Sequence, residues 1–198
     1  MSGPKLSFDQ PNRYIGQPVP RADAQRLLMG RGRFVDDMQA PRMVHAAFLR
    51  SPVAHGRIVS LDVAAARRMP GVVAVITGAD LVGVVEPYVG VLSHLAGLRS
   101  APQLPMAVGR VRWQGEPVAM VLAQSRAEAE DAVAEIHLDL EDLPAATDME
   151  RALDPDAPVI HPEFGSNLAW TRTVNVGDVD AALKGQDITI VEREFRFG

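Results

Sequence analysis

The sequence predicts an α+β fold, a mixed β-sheet with short helices, and three observations carry that expectation. Short runs of apolar and β-branched residues recur between residues 43 and 141. Ser/Thr–Glu capping boxes and Pro/Gly stops bracket short helices between them. The elements alternate irregularly and no internal repeat is visible, which fits an α+β architecture. With 198 residues, 47% of them hydrophobic and 23% charged, the chain is long enough to bury a core and is not disordered in bulk.

Residues 1–42 are rich in Pro, Gly, Arg and Asp without a sustained period. They read as a mobile tail over 1–13 and an extended arm over 14–42. Met43-Val-His-Ala-Ala-Phe-Leu49 is a short apolar run, a buried strand. Arg57-Ile-Val-Ser-Leu-Asp-Val63 alternates, which places Ile58, Ser60 and Asp62 on one face and Val59, Leu61 and Val63 on the other. A short helix follows over 64–69, capped by Asp62 and stopped by Pro70-Gly71. Val72 to Thr77 is a β-branched strand ending at Gly78.

Residues 79–110 form a long connection with scattered large apolar groups, and connections beyond about 12–15 residues in a compact domain are usually functional or disordered. Pro117 to Ala123 is a continuous apolar strand. Ser125-Arg-Ala-Glu128 is a capping box that opens a helix to about Glu135, and Ile136, Leu138 and Leu140 then alternate with polar residues in a half-buried strand. Thr147-Asp-Met-Glu150 opens a second short helix. Leu168 to Val176 alternates again, Asp178 caps a helix that Gly185 stops, and Ile188 to Phe197 reads as a final strand.

Composition excludes several chemistries. The chain has no cysteine, so disulfides, thiolate zinc sites, cysteine nucleophiles and self-ligated iron–sulfur clusters are out. A net charge of −5 argues against a general nucleic-acid binder. The N-terminus lacks the apolar stretch of a secretory signal, and Val84 to Leu98 is too interrupted to span a membrane. A cytoplasmic setting is the expectation.

The reactive residues do not assemble into a site by spacing alone. His45, His55, His94, His137 and His161 are far apart, with no i, i+4 pair of the zincin type. Gly165-Ser166 is not a nucleophile elbow. Asp36-Asp37 and Glu141-Asp142 are adjacent acids that point in opposite directions on an extended chain. Gly30-Arg-Gly32 lacks the third glycine and preceding strand of a phosphate loop. Arg31 and Arg33 suit either an anion, a partner's acids or a solvated arm.

A set of phrases does point further. Ile15-Gly-Gln-Pro-Val-Pro-Arg21, Gly30-Arg-Gly-Arg-Phe-Val-Asp-Asp37 and Met43 to His55, with Arg50, Ser51, Pro52, Ala54 and His55, open the series. Arg57 to Asp62, Met69 to Val75, Thr77 to Leu81, Gly115-Glu-Pro-Val-Ala119, Ala123 to Ala132 and Asp142-Leu-Pro144 follow in order. Together, over roughly residues 14–168, they resemble the α/β hammerhead domain at the start of the large, molybdopterin subunit of the xanthine dehydrogenase, aldehyde oxidase and aerobic carbon monoxide dehydrogenase family.

The resemblance implies a domain organisation and a division of labour. Residues 43–167 would be the hammerhead, and 168–198 the strand-helix-strand start of a truncated pterin-binding region. The complete enzyme would be an oxidoreductase carrying molybdopterin cytosine dinucleotide with molybdenum, 2Fe–2S clusters and FAD. None of these would be bound by this chain, since the family's pterin-binding and catalytic segments lie downstream; the isolated chain would be inactive. Its partners would be the rest of the large subunit and the iron–sulfur and FAD subunits. Tyr88, Val91, Leu92 and Leu95 would line the substrate entrance, or else simply cover the domain's own sheet. Arg21, Arg31 and Arg33 would lie at an interface. A free-standing scaffold or assembly subunit that binds a separately encoded molybdopterin subunit is the alternative, and an independent hydrolase or binding protein using the 79–110 connection is a third reading.

Overall fold

The computed structural model describes residues 16, 18, 20–90, 92, 94–184 and 188–195. The tail over 1–13, Val91 and the Gly185 stop lie outside them. The chain divides after Met43 into two units.

In the first unit the arm is irregular, as its lack of period predicts, but carries two short turns: helix α1 (Ala24–Leu28) and a 3-10 turn over Val35–Asp37. Asp23 stands at the cap of α1 without capping it, because Arg21 engages both its carboxylate oxygens at 2.6 and 3.1 Å. Asp37 accepts the Phe34 backbone N–H at 3.0 Å, so one of the two adjacent acids is a turn residue.

The second unit holds the strands β1 (His45–Arg50), β2 (Gly56–Asp62), β3 (Val72–Thr77), β4 (Arg110–Val111), β5 (Pro117–Ala123) and β6 (His137–Asp142). They form two three-stranded sheets, β1-β5-β3 and β4-β2-β6, in which every pairing of named strands is antiparallel. The α+β class is the one observed. β5 is central, which explains its unbroken apolar run: Ala119, Val121 and Ala123 face one core and Val118 the other.

The first core lies between the β1-β5-β3 sheet and helix α3 (Arg126–Ala134). Ala129 and Ala132 are fully buried, and their small side chains let the helix approach Val75 and Val121 closely. The expected capping box forms: Ser125 Oγ donates to Glu128 Oε2 at 2.8 Å and accepts the Glu128 N–H at 3.3 Å. The second core gathers Ala107, Val111 and Val118 with Val53, Ile58, Leu138 and Leu140, and Leu61 packs against both cores.

Four expectations are corrected. A bulge at Val59 resets the alternation of β2: Ile58 opposes Leu140 and Leu61 opposes Leu138, so both turn inward while Val59 and Ser60 are exposed. One inserted residue exchanges the faces of everything after it. The helix expected over 64–69 is a 3-10 turn, Ala66–Arg68, although Asp62 does accept the Ala64 N–H at 2.9 Å. From Thr147 no helix forms; Asp148 takes the Glu150 and Arg151 N–H groups, and Asp154-Pro155 leaves too few residues to repay helix nucleation. Residues 168–176 and 188–195 carry no strand, since a strand exists only against a partner and none among the described residues pairs with them. Between them α4 (Val179–Leu183) does form, with Asp178 accepting the Ala181 N–H at 2.9 Å.

Candidate functional site

The long connection begins at a tight corner. Thr77 donates its backbone N–H and its hydroxyl to Asp80 Oδ2 at 2.8 and 2.7 Å, which opens the single-turn helix α2 (Gly78–Leu81). These two bonds, ahead of the Arg67 charge, hold the Asp80 carboxyl below its ordinary value of 3.8. At Gly78 a Cβ would stand 2.2 Å from the Ala107 carbonyl oxygen, so glycine is what lets the returning chain lie against the corner.

Beyond the corner the chain closes on itself as a strap. Tyr88 and Gln103 exchange backbone hydrogen bonds at 2.8 and 2.9 Å, and the Gly90 N–H reaches Ser100 Oγ at 3.0 Å. Residues 158–170 pin the strap. Arg99 donates to the Phe164 carbonyl at 2.8 Å and to the Leu168 carbonyl, lies over the Phe164 ring at 5.5 Å, and its own N–H reaches Ala169 O at 2.9 Å. The Trp170 indole N–H donates to Ala96 O at 3.1 Å. Asn167 knits the pinning segment with bonds to Ala152 O, Pro158 O and the Ile160 N–H.

A cleft of about 530 Å³ opens between strap and pinning segment, with Leu92, Leu98, Arg99, Ile160, His161 and Phe164 on its walls. Of the four residues singled out by sequence, Leu92 lines this cleft. Tyr88 sits at the base of the strap with 71% of its surface exposed, Leu95 is half-buried in the turn, and Val91 is outside the described residues. Arg21 is held by Asp23, while Arg31 and Arg33 are exposed in the first unit.

A second cleft of about 360 Å³ shares His161 and is walled by Gln103, Met106, Arg112, Trp113 and Glu116. Two of the sequence phrases build it by clamping each other. The Ser51 N–H donates to Glu116 O and the Gly115 N–H to Ser51 O, both at 2.8 Å, and Arg50 Nη1 reaches Gly115 O at 2.9 Å. Glu116 N–H closes a turn on Trp113 O, with Gly115 at φ +88, a conformation that a side chain would strain. His55, also in that phrase, is buried and its Nδ1 meets Pro144 O at 2.6 Å.

His161 Nδ1 faces Glu163 Oε1 at 3.2 Å. Glu163 is held below the usual carboxylate range first by its own backbone N–H, then by His161 and Arg112, against the opposing effect of partial burial. Among the described residues no Ser or Thr hydroxyl is hydrogen-bonded to His161. Sequence reasoning missed Arg99, Arg112, Trp113 and Phe164, and treated His161 as an isolated histidine. The Arg99–Phe164 contact spans 65 residues, and the others meet only where distant segments fold together, which spacing does not reveal.

Residues 29–144 match the family model described as aldehyde oxidase and xanthine dehydrogenase, a/b hammerhead domain. The nicotine 6-hydroxylase large subunit of Paenarthrobacter nicotinovorans is 38% identical over 176 residues, 87% of this chain and 21% of that protein. The carbon monoxide dehydrogenase large chain of Afipia carboxidovorans is 36% identical over 154 residues, 78% of this chain and 18% of that one. Among solved structures, quinoline 2-oxidoreductase from Pseudomonas putida 86 superposes with a TM-score of 0.66 at 45% identity, covering 70% of this chain and 18% of its own. The chain thus spans about a fifth of the length of these relatives.

Proposed function

The chain belongs to the aldehyde oxidase and xanthine dehydrogenase a/b hammerhead family, as a domain of a molybdenum hydroxylase family large subunit, and from that premise we propose what its parts do. Residues 43–167 are the hammerhead domain, a scaffold that holds its neighbours in place and supplies no catalytic group. The strap over 88–103 lines the substrate entrance, with Leu92 and Tyr88 meeting the substrate and Leu95 shaping the turn beneath them. The observation that carries this reading is the strap itself: a closed loop pinned through Arg99 and Trp170, holding Leu92 at the wall of a cleft large enough for a small molecule.

Residues 168–198 begin the pterin-binding region, and the arm over 14–42, with Arg21, Arg31 and Arg33, lies against a neighbouring domain or subunit. Supporting this, Leu28, Phe34 and Val35 on the arm and Val174, Val176, Ile190 and Val191 in the later segment are exposed apolar groups. Apolar surface of that extent is costly in water and suits a protein interface. The complete enzyme works in the cytoplasm and joins this chain to the rest of a large subunit and to iron–sulfur and FAD subunits. Among the described residues no three His, Cys, Asp or Glu side chains are placed to hold a metal ion. In this reading molybdopterin cytosine dinucleotide belongs to the remainder of the enzyme.

Purifying the 198-residue chain tests the scaffold reading. It is expected to retain no stoichiometric molybdenum, iron or flavin and to reduce no dye with aldehydes or purines. Dye reduction by this chain alone would overturn it.

A further inference from the structure

The 360 Å³ cleft has a chemistry that scaffolding does not explain. Arg112 lines it with a guanidinium that makes no ion pair among the described residues. Its Nε is shielded from solvent and has no acceptor, although its backbone N–H is taken by Glu116 Oε2 at 2.6 Å. The Nε is closed off, so a ligand in the cleft would meet the guanidinium through its terminal nitrogens. Next to it Trp113 is 49% exposed on a turn whose shape Gly115 fixes, and its ring walls the same cleft. Of the two nearby acids, Glu116 takes the Arg112 backbone N–H, and Glu163 faces His161 and acts on the Arg112 charge without a direct ion pair.

We propose that this cleft binds a small aromatic monocarboxylate, its carboxylate on Arg112 and its ring against Trp113. A planar guanidinium and a carboxylate match as a two-bond fork, the strongest of the common charge-assisted pairs. An indole face favours a flat ring over an aliphatic acid. The volume suits one or two rings. Glu116 also lines the cleft, and its negative charge disfavours phosphates and diacids more than a monoanion. The site shares Gln103 and His161 with the strap cleft, but Arg112 and Trp113 lie outside the strap, so it stands whether or not the strap lines a substrate entrance.

The test uses benzoate as the probe, with benzamide as its uncharged match, against the ¹⁵N-labelled chain at constant ionic strength. The chain has two tryptophans, so its spectrum carries two indole N–H signals. The Trp113 signal is expected to shift saturably with millimolar benzoate, while Trp170, bonded to Ala96 O, stays in place. Arg112→Gln should weaken the response about tenfold and Arg112→Lys less. An equal response to benzamide, an unchanged response in Arg112→Gln, or no saturable shift would each overturn the proposal. Should Arg112→Gln fail to fold, Trp113→Leu read by saturation transfer to benzoate serves instead: retained binding would contradict the ring contact, and lost binding would support it.

Discussion

Arg99 lies 5.5 Å over the Phe164 ring and donates to the Phe164 carbonyl at 2.8 Å, joining two segments 65 residues apart in the chain. One side chain thus fixes both the backbone and the ring of the segment that pins the strap. A hydrogen bond from a charged donor is worth about 1.5–3 kcal/mol and a partly shielded cation–π contact about 1 kcal/mol. Arg99→Ala is therefore expected to cost about 2 kcal/mol in chemical denaturation and to raise amide exchange over 88–103 and 164–170 selectively. Arg99→Lys, which keeps the charge but loses the planar fork, should recover less than half. Uniform exchange changes across the domain would count against the pinning role.

The corner at Gly78 makes a second prediction. Adding one methyl places a carbon 2.2 Å from the Ala107 carbonyl oxygen, a backbone atom that cannot swing aside. Gly78→Ala should destabilise by about 1–3 kcal/mol through displacement of residues 106–108, measurable as a lower denaturant midpoint. Alanine's better helix propensity, about 1 kcal/mol in an exposed helix, would act in the opposite direction and is expected to lose.

Core packing gives a third. Val121 is fully buried at the centre of β5 between the sheet and α3. Val121→Ala removes two carbons and leaves a void, at a cost of about 2–3 kcal/mol. Ser125→Ala at the start of α3 removes one cap and should cost about 1 kcal/mol. The two sites share α3, so the double variant checks their additivity.

Acid dependence follows from Asp80. Its folded pKa lies below the ordinary 3.8 because Thr77 donates two hydrogen bonds to the carboxylate. The contribution is fully present above 3.8 and is lost as pH falls through the lower folded value. Asp80→Asn should therefore lower stability at neutral pH and remove that part of the acid-induced loss. An identical acid limb in wild type and variant would contradict the assignment.

Local signals made much of the fold legible. β5 is a continuous apolar run because both its faces are buried, and the Ser125–Glu128 box is written in four residues. The bulge at Val59 was not legible, since a strict alternation of residues carries no mark of where a partner strand skips one. Nor were the bare segments 168–176 and 188–195, whose alternation states a preference that only a paired neighbour could realise. For the clefts, an exposed apolar loop pointed to Leu92. Arg99, Arg112 and His161 look like ordinary surface residues until the turns bring them together.

Exchanging Tyr88 and Leu92 for Ala in the complete enzyme tests whether the strap sets access without taking part in chemistry. The measurement is kcat/KM for a series of substrates that differ in size. The ranking of substrates is expected to change, with larger ones gaining relative to smaller ones, while kcat for the smallest stays within about twofold. Unchanged ratios across the series would contradict the entrance, and an equal collapse of kcat for every substrate would contradict the absence of a catalytic role.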